Sequence, residues 1–142
     1  MHIPEDKIVK TTGFRVRCLY CGSKCLLCCS SLVYYGSKRF GHVWICPNCE
    51  EPTYVGADNQ TLAPLGHPAN ASLRKLRSKV HKLFDPLWDT GKPKSWKRRM
   101  KKYVELGKLM GLPRELCHIA MMNENQCLKA IEIIIEGKIT RD

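Results

Sequence analysis

The sequence predicts an α+β protein, a small β-hairpin module followed by a bundle of about three helices. Two Cys-x-x-Cys pairs, between Cys18 and Cys49, bracket a stretch rich in β-branched and aromatic residues. Apolar residues at helical spacing then recur from Leu73 to Ile135. Between these halves, residues 59–70 hold Pro64, Gly66 and Pro68, which disfavour both helix and central strand. The expected organisation is a flexible arm at 1–13, the hairpin module at 14–58, a linker at 59–70 and a helical region at 71–142 packed on the module. A chain of 142 residues allows one ordinary domain or two small ones.

Within the module, 31–35 reads as a first strand, 36–41 as a turn and 42–45 as the return strand. Residues 51–56 read as a third strand, with Pro52 confining it to an edge or a strand start. The first helix starts near Asn70 or Ser72, both good caps, and carries Leu73, Leu76, Val80, Leu83 and Leu87 on one stripe. Pro86 is expected to end or kink it. The second takes Ser95 as its cap and Trp96, Met100, Tyr103, Gly107 and Met110 as its buried stripe. Gly111, Leu112 and Pro113 stop it. The third follows Asn123, buries Cys127, Ile131, Ile134 and Ile135, and ends at Gly137.

The cysteines carry the clearest chemistry. Cys18-Leu19-Tyr20-Cys21-Gly22 and Cys46-Pro47-Asn48-Cys49 each read as a knuckle, a tight turn that aims two thiolates at one point. Gly22 suits the turn because it accepts positive φ. Two knuckles joined by a hairpin supply the four sulfurs of one structural Zn²⁺ site, and the module then reads as a zinc ribbon. Cys25 and Cys28 form a third Cys-x-x-Cys, so Cys18, Cys21, Cys25 and Cys28 are an alternative set, including an iron–sulfur one. Otherwise Cys25, Cys28 and Cys29 are small core residues, as are Cys117 and Cys127. Four thiolates close a zinc site to water and substrate, so it is structural.

Nine cysteines, an odd number, argue for metal in a reducing compartment over a disulfide framework. The start of the chain lacks the charged and apolar segments of a secretory signal, and no apolar run approaches the roughly 18 residues of a membrane span. A cytoplasmic protein with no membrane partner is expected. At 44% hydrophobic, the composition excludes a disordered chain.

The formal net charge is +11 and sits almost wholly in 74–102, which holds twelve Lys and Arg against Asp85 and Asp89. Such a block attracts polyanions. The candidate nucleic-acid contacts are Arg74, Lys75, Arg77, Lys79, Lys82, Lys94, Lys97, Arg98, Arg99, Lys101 and Lys102. Trp96 could stack on a base if exposed, and Tyr20, Tyr34, Tyr35, Phe40 and Trp44 could add to the stacking surface. No recognition-helix signature is present, so weak sequence preference is expected. No phosphate-binding glycine loop, His-Glu-x-x-His or nucleophile elbow occurs, and no catalytic residue is assigned. A non-enzymatic binding protein is the expectation. Nucleic acid, DNA or RNA, is its favoured partner and a host bacterial protein the alternative.

Several strings taken together resemble a known family: Cys18-x-x-Cys21-Gly22, Val43-Trp44-Ile45-Cys46, Tyr54-Val55-Gly56, Pro64-Leu65-Gly66, Ala69-Asn70, Leu73-Arg74, His81-x-x-Phe84-Asp85-Pro86-Leu87-Trp88, and Cys117-His118-Ile119-Ala120-Met121 with Cys127. They are similar to small zinc-finger-containing proteins of unknown function carried by bacteriophages and prophages, over about Cys18 to Ile135. The resemblance implies an N-terminal zinc finger on Cys18, Cys21, Cys46 and Cys49, a helical remainder and a phage origin, in the cytoplasm of a bacterial host. It implies no catalytic residue, and Cys25, Cys28 and Cys29 depart from its pattern.

Overall fold

The computed structural model describes residues 2–10 and 13–142, in an α+β architecture of two compact units, Met1–Ser72 and Leu73–Asp142. The first unit is built on a three-stranded antiparallel sheet in the order β1 (Leu26–Cys29), β2 (His42–Ile45), β3 (Tyr54–Gly56). Leu26 pairs with Ile45 and Cys28 with Val43, while Trp44 pairs with Val55. Side chains alternate across the strands. Cys25, Leu27, Trp44 and Val55 therefore gather in one apolar cluster, and Cys28, Val43 and Ile45 in another. The indole Nε1 of Trp44 donates to the Leu62 carbonyl at 2.9 Å, which satisfies the polar atom of a buried ring.

The first strand differs from expectation. It is 26–29, and the expected strand at 31–35 is instead a 3-10 turn at Ser30–Leu32 followed by irregular backbone. A second 3-10 turn covers Gly36–Phe40, so a long connection joins β1 to β2. Pairing at 26–29 buries apolar side chains on both faces and places Cys25 one residue beyond Leu26, as Cys46 lies one beyond Ile45. The third strand falls where expected, shortened to Tyr54–Gly56.

Two segments read as loose are tied to this sheet. In the arm, Val9 N donates to Leu27 O at 2.7 Å and Ile8 bridges to Cys28, because β1 is an edge strand with unpaired backbone groups. Residues 1, 11 and 12 of that arm lie outside the described residues. The expected linker at 59–70 folds back onto β3: Tyr54 and Ala69 exchange both N–H···O bonds, at 3.1 and 2.9 Å, and Leu65 N donates to Gly56 O at 2.9 Å. The Asp58 carboxylate accepts from the N–H groups of Gln60 and Thr61, both at 2.9 Å, and turns the chain; the backbone bonds of Thr61 and Gln60 lower its pKa.

The second unit is built on α1 (Ala71–Trp88), α2 (Ser95–Met110) and α3 (Glu124–Ile135). Helix α1 starts one residue after Asn70. Its buried face is Leu73, Arg77, Val80 and Phe84, with Leu76, Leu83 and Leu87 half-buried beside it. Pro86 does not end the helix. It sits on the exposed side of the last turn, where the missing N–H costs one bond, and Asp89 N still donates to Asp85 O at 2.8 Å.

Helix α2 departs from its expected cap and stripe. Its N-cap is Lys94, in the left-handed conformation with φ 63°, and Ser95 is already helical. The turn before it is held by Arg98, which donates from Nε to Trp88 O (2.9 Å), from Nη1 to Pro93 O (2.8 Å) and from Nη2 to Lys92 O (2.7 Å). The buried face is Lys102, Tyr103, Leu106 and Gly107, whereas Trp96 and Met100 are exposed. Tyr103 selects this face: its ring lies 4.5 Å from that of Phe84 and 5.1 Å from that of His118. Burial and then the charges of Arg114 and Arg99 lower the His118 pKa, which favours the neutral ring.

Gly107 is required by packing. A Cβ there would lie 3.0 Å from Leu112 O and 3.4 Å from Cys117 Cβ. Gly107→Ala is expected to destabilise the second unit by about 1–3 kcal/mol, read as a lowered thermal midpoint of the helical circular dichroism signal. Helix α3 begins as expected. Asn123 Oδ1 accepts from Gln126 N at 2.8 Å and Gln126 Oε1 accepts from Asn123 N at 2.9 Å, a complete capping box. Cys127, Ala130, Ile131 and Ile133 are buried. Ile134 is half-buried and Ile135 exposed, a correction to the expected stripe. Gly137 follows the helix at φ 72°.

Candidate metal centre

The first knuckle begins where the chain leaves Val16. Cys18 N donates to Ser23 O at 2.9 Å, Gly22 N to Cys18 O at 2.8 Å, and Cys25 N to Val16 O at 2.8 Å. Gly22 takes φ 74°, a conformation that a side chain would oppose. Arg17 Nη1 donates to the Gly22 carbonyl at 3.2 Å. The second knuckle leaves β2 directly, with Cys46 N donating to Thr53 O at 2.9 Å. Asn48, inside this knuckle, donates from Nδ2 to Ser23 Oγ at 2.7 Å and ties the two together.

The four sulfurs converge. Cys18 and Cys49 Sγ are 3.6 Å apart, Cys21 and Cys46 3.5 Å, and Cys21 and Cys49 3.9 Å, with all four within 4.8 Å of one another. A tetrahedron with Zn–S near 2.3 Å has sulfur–sulfur edges of about 3.8 Å. A disulfide would need about 2.05 Å. The geometry is that of a four-thiolate metal site, and the donor set suits zinc.

The electrostatics agree with that use. Burial raises the Cys18 thiol, and burial together with the neighbouring cysteines pushes Cys49 up to about 12. Cys21 is lowered to about 6, first by the Ser23 hydroxyl 3.2 Å away and then by the Ser23 backbone. Four thiolates in contact repel one another, so they ionise together only around a cation. Ser23 supports the centre from behind, touching Cys21 and Asn48 at once. Ser23→Ala is expected to weaken metal binding about 10–100-fold, measured by competition with a chromophoric chelator.

The structure decides between the two cysteine sets. Cys25 and Cys28 belong to the two different apolar clusters of the sheet, because they lie three positions apart, an odd offset that puts them on opposite faces of an extended chain. They cannot share one ion. Burial and the charges of Cys46, Cys18, Cys21 and Cys49 push Cys25 up to about 12, and burial pushes Cys28 up to about 11, so both stay neutral thiols. Among the described residues, the only group of three or more metal-ligating side chains close enough to hold an ion is Cys18, Cys21, Cys46 and Cys49. No helix among those residues is long and apolar enough to cross a membrane.

The family model of a zinc-finger-containing domain matches residues 14–137. The chain belongs to that family. No curated protein and no solved structure matches it.

In this zinc-finger-containing domain the basic block is divided by the fold. Lys75, Lys79 and Lys82 are exposed at spacings of four and three residues along α1, on the side away from Val80 and Phe84, and Arg74 is half-buried. Lys94, Lys97, Arg99 and Lys101 are exposed on and before α2; Lys97 Nζ lies 5.5 Å from the Trp96 ring and Arg99 5.7 Å from that of Trp88. Three of the expected contact residues, Arg77, Arg98 and Lys102, have partners within the protein. Arg77 is buried and donates from Nε and Nη2 to Met122 O at 3.1 and 2.9 Å. Arg98 holds the turn before α2. Lys102 is 1% exposed and donates to Thr140 O (2.6 Å), Asp142 (2.9 Å) and Glu105 (3.3 Å). Burial opposes its charge, but the bonds to Asp142 and Glu105 outweigh that and hold its pKa above the usual value. Lys101 also meets Asp142, at 3.0 Å. Of the aromatics, Trp44 is core at 4% exposed, whereas Trp96 is 63% exposed.

Proposed function

We propose that this protein is a non-enzymatic, zinc-stapled nucleic-acid-binding protein that holds the phosphate backbone with weak sequence preference. The observation that carries the reading is the exposed face of Lys75, Lys79 and Lys82 on α1, with no carboxylate between Lys75 and Lys82. Side chains seven residues apart with one between them line one side of a helix. Such a face neutralises successive phosphates, and phosphate contacts position a protein without reading bases. When bound, Zn²⁺ supplies a closed four-coordinate cross-link, which suits a scaffold and leaves no position for substrate.

The setting that fits is a bacterial cytoplasm. Nine cysteines, an odd number with four of them converging, suit a reducing compartment, and the phage and prophage resemblance of the sequence points to an infected or lysogenic cell. The test is a salt-titrated binding assay of the zinc-loaded chain against single- and double-stranded DNA and RNA. Affinity falling steeply with salt is expected. No binding at roughly 0.1 M salt, where charges are screened beyond about 10 Å, would overturn it.

A second reading has its own observation. Trp96, Met100 and Val104 are exposed four residues apart on α2, an apolar stripe beside Lys97 and Lys101. Such a stripe suits a host bacterial protein with an apolar, acidic surface. Trp96→Ala abolishing capture of that protein, with oligonucleotides ignored, would favour it.

A further inference from the structure

The connection between β1 and β2 carries the two most exposed large apolar side chains of the described residues, Tyr35 at 93% and Phe40 at 73%. Neither serves the core. Tyr34, their neighbour, turns inward and meets the Tyr54 ring edge-on at 5.7 Å, so the chain presents Tyr35 outward by strand-like alternation. The loop is held in shape. Tyr34 N donates to Ser30 O at 2.8 Å and Ser30 N to Gly41 O at 2.9 Å, closing its base. Arg39 donates from Nη1 to Gly36 O at 2.6 Å and lays its guanidinium 4.0 Å from the Phe40 ring centre.

The charge along the sequence that carries these rings is one-sided. From Lys7 to Cys49 the sequence contains seven Lys and Arg and no Asp or Glu. The average over the first half of the chain conceals this, because its carboxylates fall at Glu5, Asp6, Glu50, Glu51 and Asp58. Exposed rings with Lys38 and Arg39 beside them, Lys38 Nζ 5.6 Å from the Tyr34 ring centre and Arg39 against Phe40, fit a polyanion that offers flat faces. A duplex hides its base faces in its own stack, whereas a single strand exposes them.

We infer that the β1–β2 loop is a base-stacking site for single-stranded nucleic acid, with Tyr35 and Phe40 as its platforms and Lys38 as a phosphate contact. The inference rests on the nucleic-acid reading above and adds to it a second contact region, in the first unit, with a preference for unpaired strands. Stacking one base on an aromatic ring contributes about 1–3 kcal/mol and tolerates any base, in keeping with weak sequence preference.

The experiment uses the full zinc-loaded chain with a labelled oligothymidylate, the matching oligouridylate and a DNA duplex of the same length. The double variant Tyr35→Ala, Phe40→Ala is expected to lose about fivefold to a hundredfold in single-strand affinity per platform engaged, at unchanged zinc content. The loss on the duplex is expected to be smaller. Tyr35→Trp, Phe40→Trp should restore single-strand binding, and Lys38→Gln should make the single-strand salt slope shallower by about 0.7. The two single strands report whether the site takes DNA, RNA or both. Wild-type single-strand affinity in the double alanine variant overturns this inference; if neutralising the α1 lysines still weakens binding, the broader reading stands. Absence of any oligonucleotide binding by the unaltered chain overturns both.

Discussion

Stripping the metal is expected to unfold the first unit and leave the second largely helical. The sheet of that unit consists of strands of four, four and three residues, too little ladder to stand alone. Its two knuckles are joined to one another by the Ser23–Asn48 bond, and a zinc ion held by the four converging thiols would join them again. A structural zinc site of this kind contributes on the order of 10–16 kcal/mol at neutral pH. A chelator should therefore abolish the near-ultraviolet signal of Trp44, whose buried ring depends on the sheet, while the far-ultraviolet helical signal persists. Cys46→Ala should reproduce this without chelator, and Cys25→Ala should not, because Cys25 is a neutral core thiol. The pH dependence follows from the thiols. Burial raises Cys18 and Cys49, so binding the ion must displace their protons. Affinity is therefore expected to fall as pH falls, read as zinc release in a pH titration with a chromophoric chelator. An unchanged Trp44 signal after complete metal removal would defeat the stapling argument.

Neutralising the α1 face is expected to make nucleic-acid binding both weaker and less salt-sensitive. With Lys75, Lys79 and Lys82 changed to Gln, three phosphate contacts are lost. The slope of log affinity against log salt on duplex DNA should become shallower by about 2.7, at roughly 0.9 per contact. The three side chains are exposed and face away from the core of α1, so the thermal midpoint should barely move. Arg98 is the wrong residue for this test. Its guanidinium spends three donors on the carbonyls of Trp88, Pro93 and Lys92, and reversing its charge would loosen the turn before α2. An unchanged slope in the triple variant would remove α1 from the interface.

Local signals in the sequence transferred well to the structure. The two knuckles are short-range devices, and each needs only its own turn to aim two sulfurs. The third helix starts at its capping box because Asn123 and Gln126 are three residues apart. Choices between neighbouring alternatives transferred poorly. Helix α2 has two adjacent apolar stripes, one through Trp96, Met100 and Val104 and one through Tyr103, Leu106 and Gly107. Periodicity cannot rank them; the rings of Phe84 and His118 and the side chain of Cys117, which pack against the second, do. The strand at 31–35 had the better β composition, yet 26–29 pairs with β2, a register that buries apolar side chains on both faces beside the converging sulfurs of the two knuckles. Proline and glycine in 59–70 read as a linker because they forbid regular structure, but irregular backbone can still bond a sheet edge, as Ala69 does with Tyr54.

The sequence by itself determined the two cysteine knuckles, the order of sheet before helices and the place of the positive charge, because spacing and composition act over a few residues. Only the tertiary structure decided which cations face solvent. Lys102 is neutralised by Asp142, forty residues away, and Arg77 is spent on the Met122 carbonyl, forty-five residues away. A basic side chain is available to a polyanion only when no partner lies within a few ångströms. That is settled by which distant segments the core brings together, and no local pattern records it.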